Sequence, residues 1–122
     1  MIFGDDEVKA HRKERQRRIM KASRKQEDRS AKVYRGSRNA GSGSGWLRKN
    51  DVRSYKFLIE NKLTDNKKSY SVKLQDMVEL TQRAILEDRT PVLQFDVGGK
   101  HYVVLNEHDF ITMAEDLGGL DD

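Results

Sequence analysis

The chain of 122 residues contains no cysteine. Disulfide scaffolds, thiolate zinc sites and cysteine nucleophiles are therefore excluded. It has no apolar run near the ~20 residues that a membrane-spanning helix needs. Its opening, MIFGDDEVKAHRKERQRR, carries no apolar signal-peptide core, so a cytoplasmic chain is expected, with no membrane partner. Hydrophobic residues are scarce at 35% and charged residues abundant at 36%. An ordinary globular domain is more apolar, so part of the chain is expected to be a solvated arm. His11, His101 and His108 lie in unrelated contexts, and no HExxH occurs. There is no GxxxxGK[ST] loop for nucleotide phosphates and no GxSxG nucleophile elbow. No internal repeat is present.

What the chain does have is charge, unevenly placed. Residues 1–50 carry 15 Lys and Arg against 6 Asp and Glu, a net +9; residues 51–122 carry 9 against 14, a net −5. A basic amino-terminal half points to a polyanionic partner, nucleic acid first. A solvated basic helix would have the same composition.

Residues 9–32 read as a helix, free of Gly and Pro and rich in good helix formers. Ile19, Met20, Ala22 and Ala31 give it only a weak apolar stripe. Residues 36–45, GSRNAGSGSG, are either a flexible linker or a loop offering N–H groups and hydroxyls to a phosphate. Residues 50–64 read as a hairpin turning at Ser54-Tyr55-Lys56. Residues 71–88 form the clearest helix, with Leu74, Met77, Val78, Thr81, Ala84 and Ile85 as the stripe expected to be buried. PVLQFDV and HYVVLN are antiparallel strands joined at Gly98-Gly99, and EHDFITMAEDL is a short closing helix. The expected fold is α/β (α+β), a small mixed sheet flanked by helices. The expected division is a basic arm over 1–25, a folded domain over 26–117 and a frayed acidic tail over 118–122.

One grouping carries chemistry. Glu60 and Lys62 are two apart on a predicted strand, so both side chains leave one face. Asp51 opens the neighbouring strand, where it can approach Glu60. Two close carboxylates attract a hard divalent cation such as Mg²⁺. A nearby ammonium can orient an attacking water or stabilise charge on a phosphate. The same residues can also form an exposed cross-strand ion pair worth ~0–1 kcal/mol.

Taken in order, these residues resemble the PD-(D/E)xK nucleases, and within them the small Holliday junction resolvases of archaea and phages. Arg38-Asn39-Ala40-Gly41-Ser42 resembles the Arg-Ser-x-Gly-Ser loop, Asp51-Val52 the Asp-[LIV] step, and Ile59-Glu60-Asn61-Lys62 the Ile-Glu-x-Lys string. The likeness covers roughly residues 26–105 and includes Tyr70-Ser71-Val72-Lys73, the long helix and Pro91-Val92-Leu93. It implies a restriction-endonuclease-like fold. Asp51 and Glu60 would be metal ligands, with the Asn61 backbone carbonyl as a third. Lys62 would be the catalytic lysine. Glu27 would complete the site from the first helix, with Glu14 and Asp28 as competitors. The implied cofactor is Mg²⁺, with Mn²⁺ as the other candidate.

Arg38 and Ser42, with Arg35 and Ser44 beside them, would contact DNA, and Lys73 and Gln75 would lie near the site at the start of the long helix. The segment between Gly41 and Asp51 is longer than in the archaeal enzymes. Its Arg48 and Lys49 can reach DNA, and its Trp46 can stack on a base or pack at a dimer surface. Asn50 stands where the family name has proline. The expectation is a Mg²⁺-dependent endonuclease of branched DNA, a homodimer because a junction needs two nicks, with Tyr102, Val104, Phe110 and Met113 as candidate dimer residues. Three alternatives stay open: a superfamily nuclease acting on duplex or ends, a non-catalytic DNA-binding protein, and a module whose residues 9–32 fold on a protein or RNA.

Overall fold

The computed structural model describes residues 4–38, 51–64 and 68–121. Within them run α1 (Asp5–Val33), β1 (Ser37–Arg38), β2 (Asp51–Arg53), β3 (Phe57–Lys62), α2 (Leu74–Leu86), β4 (Thr90–Val97), β5 (Lys100–Val104) and α3 (Glu107–Asp116). The expected mixed α/β layout is therefore observed.

α1 is one unbroken helix of 29 residues. Asp5, Asp6 and Glu7 sit in its first turn and Lys32 in its last, each where the helix dipole favours that charge. Residues 4–22 are exposed, and full burial begins at Gln26 and Glu27. Burial thus begins inside a continuous helix. The helix ends with Arg35 in the left-handed region at φ 54. The Arg35 N–H reaches the Lys32 carbonyl at 3.3 Å and the Gly36 N–H reaches the Ala31 carbonyl at 2.9 Å. A side chain at Gly36 would put its Cβ 2.5 Å from the Arg53 carbonyl oxygen, so only glycine lets β1 approach β2 here. That approach makes a two-residue strand out of what the sequence reads as the start of a loop, a strand too short to show a pattern of its own.

The five strands lie in the order β1-β2-β3-β4-β5. β3 pairs in parallel with β4, and the other neighbours are antiparallel. α2 supplies the crossover that a parallel pair requires. Gly98 (φ 60) and Gly99 (φ 73) make the tight turn between β4 and β5.

The core has two layers because strand side chains alternate. Leu58 and Leu93 pack under Leu80 and Ala84 of α2, joined by Tyr70, Met77 and Val104. On the other face Val52, Ile59 and Val92 pack with Ala31, Tyr34, Phe57 and Leu105. The expected stripe of α2 differs from the one observed. Of the stripe assigned to α2, Leu74, Val78 and Ile85 are exposed, while Leu80, outside that stripe, is fully buried. The apolar residues of α2 run round more than one face, and only the ridge through Met77, Leu80 and Ala84 meets the sheet. Beyond α3 the Gly119 N–H bonds the Ala114 carbonyl at 2.8 Å. α3 itself is capped by Asn106, whose side chain accepts from the Asp109 N–H, and it buries no residue. Among the described residues no helix is long and apolar enough to cross a membrane.

Candidate active site

Asp51 and Glu60 are direct cross-strand partners in the β2–β3 pair. Leu58 faces α2, so Glu60 and Lys62, two and four residues on, share that face. Asp51, opposite Glu60, shares it too. Both carboxylates are completely buried. Two buried anions this close need positive charge nearby. Lys62 Nζ lies 3.6 Å from Glu60 Oε1. Arg83 of α2 bonds Asp51 Oδ2 through Nη1 and brings Nη2 within 3.4 Å of Glu60 Oε1. Arg53 is more distant, at 3.9 Å from Asp51 Oδ2.

Each cation is held differently. Arg53 grips Glu87 with Nε at 2.5 Å and Nη2 at 2.8 Å. Arg89 adds a third bond to Glu87 at 2.7 Å. These contacts, led by the Arg53 hydrogen bond, hold the Glu87 carboxyl below its ordinary range. Lys62 is shared with Asp76 of α2 at 3.7 Å. Burial pushes the Asp51 carboxyl up, against the pull of Arg83. Asp51 Oδ1 is buried and has no hydrogen-bond partner.

The opposite face of the sheet carries a polar chain. Gln26 Nε2 donates to the Lys62 carbonyl at 2.9 Å and to Gln94 Oε1 at 2.9 Å. Gln94 Nε2 donates to Asp96 Oδ1 at 2.7 Å, and His101 Nδ1 meets the same oxygen at 2.6 Å. Asn61, nearly fully buried, sits beside Gln94 across the parallel β3–β4 pair.

The residues singled out in the sequence divide into three groups. Asp51, Glu60 and Lys62 are brought together, with Asn61 between the last two. Glu27 is not brought to them. It is buried on α1 and its carboxylate pairs with Arg38 at 3.3 Å, burial pushing its carboxyl up. Arg38 is opposite Val52 in the β1–β2 pair, which places it on the face away from Asp51 and Glu60. Of the competitors, Asp28 also pairs with Arg38, at 2.8 Å, and Glu14 is exposed on α1. Arg35 is exposed at the end of α1. Lys73 and Gln75 are exposed at the start of α2, and Gln75 turns to Glu79 at 3.1 Å. Neither makes the contact with Lys62 that Asp76 makes. Ser42, Ser44, Trp46, Arg48 and Lys49 lie outside the described residues.

Sequence reasoning missed Arg83, Asp76, Arg53, Gln26 and Gln94. The signal for the first two was available. Asp76, Leu80 and Arg83 fall at i, i+4 and i+7, one face of a helix. Placing Leu80 at the core carries both charged residues to the β3 side. Gln26 and Gln94 gave no such signal, since nothing in the sequence sets α1 against β4.

Among the described residues no three His, Asp or Glu side chains converge as a metal-holding group. The pair itself suits a cation of the Mg²⁺ kind, which keeps several waters and takes one or two carboxylates. The unpartnered buried oxygen of Asp51 is the observation that favours this fit. No family model matches the chain, and neither does any curated protein or solved structure.

Proposed function

We propose that this chain is a Mg²⁺-dependent endonuclease that hydrolyses phosphodiester bonds of branched DNA, with a four-way junction as the substrate. The observation that carries the reading is the register of Asp51 against Glu60, both fully buried, with Lys62 two residues further along the same face. In this reading Asp51 and Glu60 hold Mg²⁺ or Mn²⁺, together with the Asn61 carbonyl. The cation, when bound, supplies charge for the phosphate and acidifies a water. Lys62, beside Glu60, directs its ammonium at the water or at developing negative charge. Gln26 fixes the backbone of Lys62 through its carbonyl, which limits how far the lysine can drift.

The exposed, basic part of α1 holds the DNA through phosphates, a term that depends on salt and not on sequence. In this reading Arg38, held by Glu27 and Asp28, contacts the DNA from the face of the sheet away from the carboxylate pair. Resolution of a junction needs two sites, and therefore a symmetric homodimer. Of the residues expected at that surface, Tyr102 and Phe110 are exposed, whereas Val104 packs into the core. Such an enzyme would work in the cytoplasm of a bacterium or an infected host.

The test is a cleavage assay on a labelled four-way junction, a matched duplex and a single strand, with Mg²⁺ or EDTA. Paired symmetric nicks in the junction, only with Mg²⁺, are expected. Equal cutting of all three substrates keeps the nuclease and removes junction selectivity. A second reading is favoured by the cations already surrounding the two carboxylates: a DNA-binding protein in which this cluster is structural. Tight, salt-dependent binding with no cutting in Mg²⁺ decides for it.

A further inference from the structure

Among the described residues three cations lie beside the Asp51–Glu60 pair, and they differ in what else they hold. Arg53 is committed to Glu87 by two hydrogen bonds. Lys62 divides itself between Glu60 and Asp76. Among the described residues Arg83 pairs with Asp51 and Glu60 themselves. Its guanidinium spans the two carboxylates, the place where charge balance calls for a cation.

The hold on it is incomplete. Arg83 Nη1 bonds Asp51, but Nε and Nη2 are buried without a hydrogen-bond partner. A guanidinium has five N–H donors, and leaving buried ones unmade costs free energy that the ion pair must offset. Asp51 Oδ1 is likewise left unpartnered. The arginine thus neutralises the pair without saturating it. Its side chain is 21% exposed, so it stands at the edge of the site with a way out to water. Leu80 and Ala84, both fully buried, pin the same stretch of α2 to the sheet. The side chain can therefore leave by rotation alone, with the helix in place.

We propose that Arg83 is a built-in competitor for the divalent cation: it occupies the seat between Asp51 and Glu60 and must swing off both for the cation to enter. This rests on the metal-dependent reading above. A doubly charged ion gains more than a guanidinium from two carboxylates in a poorly solvated place. Arg83 weakens cation binding and stabilises the cation-free protein by the same contacts.

The test measures binding of Mn²⁺ to the full chain by titration calorimetry, for wild type, Arg83→Met and Arg83→Lys. The melting temperature is read in EDTA and in Mn²⁺. Arg83→Met is expected to bind Mn²⁺ at least about tenfold more tightly than wild type, with Arg83→Lys between them. In EDTA, Arg83→Met is expected to melt below wild type, and Mn²⁺ to raise its melting temperature by more. If Arg83→Met does not fold, the same order is read from Arg83→Lys against wild type. Equal or weaker binding by the folded variants overturns the competition while leaving the metal reading intact. No Mn²⁺ binding by any of the proteins overturns both.

Discussion

Gln26 and Gln94 meet side chain to side chain at 2.9 Å, one from α1 and one from β4, beneath the strand that carries Glu60 and Lys62. The same Gln26 nitrogen also satisfies the Lys62 carbonyl. Both residues are buried, so truncating either strands polar atoms away from water. Gln26→Ala is expected to destabilise the fold by about 1–3 kcal/mol, the cost of leaving buried partners unmade. Urea unfolding monitored by circular dichroism checks this, with a lower midpoint at unchanged slope.

Glu60→Ala is expected to abolish cleavage of branched DNA, and Asp51→Asn to do the same. Binding to the same DNA, followed by gel shift in EDTA, should change little, because α1 carries its own basic side chains. Cutting at the wild-type rate by either variant would remove the pair from the chemistry.

The contacts of Glu87 with Arg53 and Arg89 give stability a dependence on pH. The folded protein holds the Glu87 carboxyl below its unfolded value, with Arg53 the principal cause. A group shifted down stabilises the fold above its unfolded pKa, roughly 4.3 for Glu, and that stability is lost as pH falls through the folded value. Glu87→Gln should therefore lower the melting temperature at pH 7 and make little difference well below pH 4. The effect is modest, about 1 kcal/mol or less, since the partners are partly solvated.

Leu58 and Ile85 are comparable in size but not in surroundings. Leu58 is fully buried between β4 and α2, whereas Ile85 is 70% exposed on the outer side of α2. Leu58→Ala is expected to cost about 2–5 kcal/mol. Ile85→Ala is expected to stay within about 0.5 kcal/mol, as for exposed positions generally. Equal losses in thermal or urea unfolding would mean that the outer side of α2 is covered in solution.

Binding of DNA by α1 is expected to fall with salt. Replacing Arg12, Arg15 and Arg18 together by Gln should reduce the slope of log affinity against log salt by about 2–3 for duplex DNA. Fluorescence anisotropy at several salt concentrations measures that slope. An unchanged slope would place the DNA elsewhere on the protein.

The strands were legible because their signals are local. Alternation placed Glu60 and Lys62 on one face, the Ser54–Lys56 turn set the hairpin, and Gly98-Gly99 set the next. β2 and β3 then brought Asp51 opposite Glu60 with no information beyond the turn. What the sequence did not reveal lies between elements distant along the chain. Rotating α2 by part of a turn exchanges Leu74 and Ile85 for Leu80, and with Leu80 come Asp76 and Arg83. Apolar residues on several faces of α2 left that rotation undecided. The role of Glu27 rests on resemblance alone, and its side chain turns to Arg38. β1 escaped notice because its two residues contain no hydrophobic side chain.

The unbroken run of α1 joins two regimes of stability in one element. From Gln26 onward the helix is held by the sheet, and its amides should open only with the domain as a whole. From residue 22 toward Asp5 every residue is exposed, and helicity there rests on local propensity and the dipole, which are marginal for a stretch of this length in water. Amide exchange should therefore accelerate steadily toward the amino terminus, with no boundary in the backbone to mark where one regime yields to the other. The outer turns would melt and reform many times for each opening of the core, and a polyanion laid along them would extend the cooperative unit outward, turn by turn.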